Sequence, residues 1–332
     1  AARARAAPAA VAAAAALALA GCEGPQSTLD PAGPGAAALA QSWWVMLAGS
    51  IAIAVLTIGL ALYAVFRDSD KPMRFDPLRI VIGLGLVFPT VTLIALLYYG
   101  VRLGQAVLPG PGDRDVYEVE VRAHQWWWEV SYPPSAAGRV LHSANELHVP
   151  VGRPVYVRVT GADVIHSFWV PQLGPKIDAM PGITTMVKLQ SDRAGTFRGQ
   201  CAEFCGEQHA RMVLFVHAHP PQQLQHALEQ LAAAGESIRA AATPQALDAF
   251  AQHCGVCHSL DATERGPARG PNLAAVTLRT MLGAGTLENG PQALRQWMRE
   301  HSKLKPGIRK PSHDHVPDDV LESIVRLLEA RS

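Results

Sequence analysis

Two long apolar runs near the amino terminus constrain this 332-residue chain more than any other feature. The first covers about residues 42–66 and the second runs from Ile80 to Val101, and neither contains a charged residue. The 22 residues of the second run, at about 1.5 Å of rise each, span roughly 33 Å, which matches the hydrocarbon core of a bilayer. The sequence therefore predicts a two-helix transmembrane hairpin over residues 42–102.

The connection between the two runs predicts the orientation of this hairpin. It carries Arg67, Lys71, Arg74 and Arg79, and basic residues favour the cytoplasmic side of a membrane. Both ends of the hairpin then face outward, so we expect a multi-pass protein of the bacterial inner membrane with its remaining domains on the periplasmic face. All 13 histidines lie at His124 or later, so neither span can hold a haem or metal through imidazole. Chemistry within the membrane must belong to a partner chain.

The first residues of the chain have the layout of a secretory signal. Arg3 and Arg5 precede an Ala/Leu/Val stretch that ends in Leu-Ala-Gly-Cys22. This pattern predicts a lipoprotein-type signal peptide over residues 1–21, lipidation of Cys22, and an exported segment over residues 22–41. The alternative is a chance cysteine in an alanine-rich signal.

Composition changes twice after the hairpin. Residues 113–219 contain alternating, β-rich stretches such as 116–121 and 155–159, which predict an outward-facing β-sandwich or barrel. An Ala/Gln-rich helical linker is expected over residues 220–243, followed by a helix-rich domain over residues 244–332. The 29 basic and 28 acidic residues nearly cancel, so no chain-wide field favours a nucleic-acid partner.

The five cysteines fall at positions 22, 201, 205, 254 and 257. Cys201 and Cys205 lie four residues apart, so two thiolates on one loop can each bridge two metal ions. Three soft or borderline donors accompany them, His166, His209 and Met212, together with the main-chain carbonyl of Glu203. This set suits copper, with Met212 and the Glu203 carbonyl as weak axial ligands, and it suits one-electron transfer. A disulfide between Cys201 and Cys205, or a copper-chaperone site, is the alternative.

Residues 115–219 resemble subunit II of the haem–copper cytochrome c oxidases, through their cysteine loop and three further segments. Those segments are Gln-Trp-Trp-Trp at 125–128, Asp-Val-Ile-His-Ser-Phe-Trp-Val-Pro at 163–171, and Lys-Ile-Asp-Ala-Met-Pro-Gly at 176–182. The resemblance implies a cupredoxin fold with a dinuclear CuA centre. It also implies that Trp126 is the indole at which electrons enter, and that the Glu203 side chain reaches a magnesium or manganese ion at the junction with subunit I.

A second redox motif lies in the last domain. Cys254, Cys257 and His258 form the C-x-x-C-H signature for covalent attachment of a c-type haem, in which His258 is the proximal iron ligand. A chance match or a thioredoxin-like dithiol is the alternative. The segment Gly-Pro-Asn-Leu at 270–273 resembles the class I cytochromes c, which implies that a proline carbonyl, here Pro271, accepts a hydrogen bond from the proximal histidine.

The distal ligand departs from this pattern. Fused cytochromes of the family supply a methionine from a loop such as K-P-G-x-x-M-P, but here residues 305–311 read Lys-Pro-Gly-Ile-Arg-Lys-Pro. Lys310 stands where the methionine is expected. Three hypotheses remain open: Lys310 ligates as a neutral amine, His313 or His315 replaces it, or the position is open.

These features together predict a multidomain protein: a transmembrane helical hairpin, a β-sandwich cupredoxin domain and an all-α class I cytochrome c domain. The resemblance implies subunit II of a terminal oxidase, which takes electrons from a cytochrome c-type donor through haem c and CuA to an oxygen-reducing, proton-pumping subunit I. Subunit III is a further expected partner. The alternatives are the equivalent subunit of a CuA-containing nitric-oxide or nitrous-oxide reductase, and a copper assembly factor.

Overall fold

The structure is a computed structural model, and it describes residues 24–68, 76–135, 137–265 and 270–329. The predicted signal peptide, the lipidation site Cys22, and Lys71 and Arg74 of the basic connection lie outside these residues.

Two apolar helices are long enough to cross a membrane. The first, α1, spans Pro34–Phe66, and the second span covers Pro77–Gln105. The most apolar stretch of each has no buried residue, as expected for surfaces that contact lipid or a partner. The two predicted helices are confirmed, although α1 begins eight residues earlier than the predicted residue 42. Pro34 occupies the first helical position, which suits a helix start, and Ala36 and Ala40 in the first turns are buried.

The second span contains one irregular turn. Helix α2 (Pro77–Ile82) continues into a π-helical turn (Gly83–Val87) and then into α3 (Phe88–Val107). The main-chain N–H of Phe88 donates to the carbonyl of Gly83, one residue further back than in an α-helix. The widened turn lies directly before Pro89, which has no N–H and would clash with the carbonyl four residues earlier in a regular helix.

The middle of the chain forms two packed five-stranded sheets. The strands are β1 (Tyr117–His124), β2 (Trp127–Ser131), β3 (His142–Ala144), β4 (Glu146–Pro150), β5 (Val155–Gly161), β6 (His166–Trp169), β7 (Ile177–Ala179), β8 (Thr185–Leu189), β9 (Gly195–Cys201) and β10 (Val213–His219). One sheet has the order β3-β2-β1-β5-β8 and the other β4-β10-β9-β6-β7. Residues buried alternately along β1 and β5 face inward and form the core between the sheets.

The segment before α1 is attached to this sandwich. The main chain of Ala32 donates to the carbonyl of Gln172 (2.8 Å) and accepts from the N–H of Asp192 (2.8 Å), and its methyl group joins the sandwich core. The Asp30 carboxylate accepts a further bond from the Gln172 amide at 2.8 Å. The sandwich is therefore bonded directly to the segment that leads into the first span.

The expected linker is a packed helix. Helix α4 (Pro221–Ala241) follows β10 after one residue and buries Leu224 and Leu231 in the sandwich core. Ile238, in its last turns, belongs instead to the core of the following domain. That domain contains α5 (Pro244–His253), a two-stranded hairpin of β11 (Met281–Leu282) and β12 (Leu287–Glu288), α6 (Pro291–Leu304) and α7 (Asp318–Glu329). The small hairpin is not part of the all-α expectation.

Candidate copper centre and haem-attachment loop

The two cysteines of the copper motif lie on a loop whose two ends are held together by strand pairing. Cys201 ends β9, Met212 directly precedes β10, and the N–H of Cys201 donates to the carbonyl of Met212 at 3.0 Å. Both thiols are 3% exposed. Their sulfur atoms are 3.7 Å apart, well beyond the roughly 2.05 Å of a disulfide. The loop thus presents two separate thiols to one enclosed space.

The other predicted donors converge on these thiols from different segments. His166 Nδ1 lies 3.9 Å from the Cys201 sulfur, and His209 Nδ1 lies 3.6 Å from the Cys205 sulfur. The Met212 sulfur is 3.9 Å from Cys205, and the Glu203 carbonyl oxygen is 3.2 Å from Cys201. Each thiol therefore has one imidazole and one weak donor beside it. This donor set fits two copper ions.

Hydrogen bonding prepares one thiol for metal binding. The hydrogen bond shared with Cys205, together with that to His166, lowers the pKa of Cys201 well below its ordinary value, although burial opposes the shift. The pKa of Cys205 is raised, first by the same shared bond and then by burial. One thiolate is thus already favoured, and a bound cation would favour the second.

Asp163 orients the first imidazole. Its carboxylate lies 2.9 Å from His166 Nε2, so the other ring nitrogen, Nδ1, points toward the thiols. Burial opposes ionisation of Asp163, but bonds from His166 and from the main-chain N–H groups of Gln125 and Val164 outweigh it and lower its pKa to about 2. Asp163 belongs to a predicted motif, but nothing in the sequence pattern assigns it this task.

Two of the three consecutive tryptophans, Trp126 and Trp128, contact the copper loop in different ways. Trp128 is fully buried, packs edge-to-face on Phe168 and donates to the Met212 carbonyl at 3.4 Å, so it is a core residue. Trp126 donates to the Cys205 carbonyl at 3.0 Å and is only 8% exposed. Gly206, at φ +115°, lies against the indole, where a Cβ atom would come within 3.0 Å of the ring. The indole thus rests on the copper loop.

The haem-attachment motif follows α5 as a tight turn. The main-chain N–H of His258 donates to the Cys254 carbonyl at 3.0 Å, which brings both cysteines and the histidine onto one turn. The His258 ring donates from Nδ1 to the carbonyl of Pro271 at 2.7 Å, which leaves Nε2 free to bind iron. Burial lowers the pKa of His258 to about 4, so the imidazole is neutral at physiological pH, as a ligand must be.

Lys310 lies in a cluster of nitrogen donors near this turn. Its Nζ is 2.9 Å from His313 Nδ1 and 3.4 Å from His301 Nδ1. Burial lowers the pKa of Lys310 to about 8, and the charges of Cys254 and Cys257 act on it in the opposite direction. The amine thus lies close enough to the two cysteines of the motif for their charges to act on it.

His301 is the residue of this cluster that the sequence motifs do not single out. It is 1% exposed, and within the described part of the chain its Nε2 has no hydrogen-bond partner. It follows Leu294 and Met298 on the buried stripe of α6, so a histidine at an apolar position was its only signal. A buried imidazole nitrogen without a partner is uncommon and marks this position as a candidate donor. The His315 ring lies 6.1 Å from that of His253, beside the attachment cysteine Cys254, and the His315 charge also acts on His313.

Glu203 has two different parts to consider. Its carbonyl faces Cys201, whereas the residue as a whole is exposed on the outer loop beside Phe204, which is 75% exposed. The carboxylate is thus accessible from outside the domain, on a surface that also exposes an aromatic ring.

The domain that carries this loop is similar to domains of known proteins. The family described as "Cytochrome C oxidase subunit II, periplasmic domain" matches residues 134–219, which include every side-chain donor of the candidate copper centre. A cytochrome c oxidase subunit 2 from Alkalihalophilus pseudofirmus is 30% identical and covers 94% of this chain and 93% of its own length. Another from a Bacillus species is 30% identical and covers 65% of this chain and 62% of its own length.

Among solved structures, the periplasmic domain of subunit II of cytochrome oxidase from Bradyrhizobium japonicum is 31% identical, with a TM-score of 0.33, and covers 37% of this chain and 96% of that one. Because the Alkalihalophilus relative matches over nearly the whole of both chains, the protein belongs to the cytochrome c oxidase subunit 2 family and is a component of the oxidase complex.

Proposed function

We propose that electrons reach the oxidase through two cofactors on this chain, first a haem c on Cys254, Cys257 and His258 and then a dinuclear copper centre. The copper would be held by His166, Cys201, Glu203 (carbonyl), Cys205, His209 and Met212. A CuA-type centre is expected for this family's periplasmic domain, and both groups, when bound, supply one-electron transfer. The convergence of two buried thiols, each with an imidazole and a weak donor, is the observation that carries the proposal.

The protein's own residues do the positioning. The β9–β10 pairing fixes the loop ends, and Asp163 fixes the His166 ring, so little rearrangement is needed when the charge of the centre changes. Trp126, bonded to the Cys205 carbonyl, is the indole through which we propose that electrons enter. Thiols that are 3% exposed, in a complete donor set, fit a resident centre better than the exchangeable site of a copper assembly factor.

For the sixth haem ligand we propose Lys310 or His313. Both lie in the nitrogen cluster, and the depressed pKa of Lys310 makes its neutral amine more accessible than that of an exposed lysine. Either nitrogen ligand should lower the reduction potential relative to methionine.

The partners and the location follow from the same proposal. The Glu203 carboxylate, on its exposed loop, would reach a magnesium ion at the junction with subunit I. Two span-capable helices anchor the chain in a membrane, and we propose the bacterial inner membrane with the two redox domains in the periplasm. Subunit III and a cytochrome c-type donor complete the proposed assembly.

The test is spectroscopic and uses the purified full chain in mild detergent. We expect about two copper ions per chain with a mixed-valence EPR and near-infrared signal, and a haem that stays attached after denaturation. In the complex with subunit I, reduced cytochrome c should support oxygen consumption. A chain that binds one Cu(I) without a mixed-valence signal, or that carries no covalent haem, would contradict the proposal.

A further inference from the structure

Lys305 is a buried cation between the sandwich and the carboxyl-terminal domain. It follows α6 directly and is 2% exposed. Its Nζ donates to three main-chain carbonyls, those of Trp126 (3.0 Å), Arg211 (2.7 Å) and Gly283 (2.7 Å). An ammonium group has three protons, so all three are used.

The three carbonyls come from both sides of the domain boundary. Trp126 carries the indole that donates to the Cys205 carbonyl, and Arg211 directly precedes Met212 at the end of the copper loop. Gly283 belongs to the turn between β11 and β12 of the carboxyl-terminal domain. Lys305 therefore joins the haem-bearing domain to the main chain on two sides of the copper loop.

The residues around Lys305 form a close-fitting interface. The N–H of Val213 donates to the carbonyl of Ala284 at 3.1 Å, and a Cβ atom on Gly285 would lie 2.7 Å from the Val213 side chain. Gly307, at φ +76°, lies against Glu207 and Trp126. Contacts this close fix one relative position of the two domains and cover the indole.

Burying the Lys305 ammonium group costs free energy, so its place at this interface needs an explanation. Burial lowers the pKa of Lys305 to about 7, and its three hydrogen-bond acceptors within the described part of the chain are carbonyls, not carboxylates. A neutral amine would leave one of the three carbonyls without a donor, so the arrangement fits the charged form. Polar groups kept in such places can select one register over others.

We infer that Lys305 is a positioning residue that holds the carboxyl-terminal domain in one fixed register on the copper loop. The inference rests on the proposed function: electron transfer between haem c and copper then occurs in a permanently docked arrangement, not after a diffusional search by a tethered domain. An external donor is consequently directed to the carboxyl-terminal domain, because the turn that carries Gly307 occupies the approach to Trp126.

The experiment compares Lys305→Met with Lys303→Met in the full chain loaded with copper and haem. Lys303 lies on the preceding helix, but its side chain is 81% exposed, so it is the matched control. After flash photoreduction, the unaltered protein and Lys303→Met should transfer electrons internally at a rate independent of solvent viscosity. In Lys305→Met the rate should fall by about tenfold or more and become viscosity-dependent, with unchanged copper and haem spectra.

Lys305→Arg keeps the charge but cannot place its planar donors on three converging carbonyls. It should therefore show the same effect to a smaller extent. This variant replaces Lys305→Met in the experiment if Lys305→Met does not fold. Unchanged, viscosity-independent rates in the Lys305 variants would overturn the inference.

Hydrogen exchange separates this inference from the proposed function, because it needs no cofactor. The Val213 amide, bonded across the interface to Ala284, should lose about tenfold in protection in the Lys305 variants and not in Lys303→Met. If the unaltered chain binds no haem, the proposed function fails, while loss of Val213 protection still supports the fixed register. If haem and copper bind but Val213 protection does not change, the inference about Lys305 alone fails.

Discussion

The copper loop and the distal side of the carboxyl-terminal domain, where Lys310 lies among histidines, differ in how closely the fold defines a single set of donors. At the copper loop, pairing of β9 with β10 fixes the loop ends, and pairing of β6 with β9 brings His166 beside Cys201. On the distal side, Lys310, His301 and His313 lie together around one position. The difference teaches that a loop whose ends are fixed by strand pairing presents one donor set, whereas side chains from a helix and a following loop bring several alternative nitrogen donors together.

The most severe test of this comparison is Cys201→Ser. Removing one of the two thiolates would leave the donor set of both copper ions incomplete, so we expect loss of the mixed-valence signal. The rate of copper-dependent electron transfer should fall by more than about a hundredfold. This is more than the typical effect of changing a residue that only orients a ligand. EPR and metal analysis of the full chain measure it. Haem attachment at Cys254 and Cys257 should not change, and a retained mixed-valence signal would contradict the assignment.

A smaller effect is expected from Asp163→Asn, which tests whether the copper site is preorganised. Without the carboxylate, the His166 ring is no longer held with Nδ1 toward the thiols, and copper affinity should fall by about 10–100-fold. Competition with a chelator measures the affinity. Asp178→Asn is the control, because that side chain is exposed on β7. Equal affinities in the two variants would show that the ring needs no carboxylate.

Lys310→Met tests the other side of the comparison. Restoring the expected methionine should raise the haem reduction potential by on the order of 0.05–0.1 V, a small part of the roughly 0.8 V range that axial ligands span. The oxidised protein should also gain the charge-transfer band of methionine ligation. A redox titration with Lys303→Met as the control checks this, because the Lys303 side chain is 81% exposed. An unchanged potential in Lys310→Met would favour His313.

The smallest effect concerns pH. The pKa of Asp163 is about 2 in the folded chain and about 3.9 in an unfolded one, so its ionised form contributes stability above about pH 4. That contribution disappears as the pH falls through about 2. Because the group is partly exposed, we expect only about 1–2 kcal/mol. Urea unfolding of the unaltered chain and Asp163→Asn should differ by about this amount near pH 6 and converge toward about pH 2; a constant difference would contradict it.

The sequence predicts much of the copper site and less of what surrounds it. The donors from Cys201 to Met212 lie within one loop, where spacing and donor chemistry are visible without a structure. Lys305, by contrast, bonds to Trp126 from 179 residues away, and no local pattern distinguishes it from the exposed Lys303. His301 is equally hidden, because a histidine on an apolar helix stripe is usually an ordinary core residue.

The same reasoning applies to the fold. Charge-free runs predict the two spans because a bilayer demands them. The earlier start of α1, at Pro34, and the burial of Ala36 and Ala40 in its first turns are not visible in a hydropathy pattern. The Ala/Gln-rich composition of residues 220–243 predicts a helix. It does not predict that the helix packs, because its large buried side chains are only two leucines and one isoleucine.

Helix α4 has a consequence for how the chain melts and how it can be divided. Leu224 and Leu231 belong to the core of the sandwich and Ile238 to that of the carboxyl-terminal domain, so a single helix contributes to both cores. Heating should therefore give a single calorimetric transition for the two modules instead of two. A fragment that ends at residue 219 would lose part of the sandwich's own interior, so it should be less stable than the same module in the intact protein.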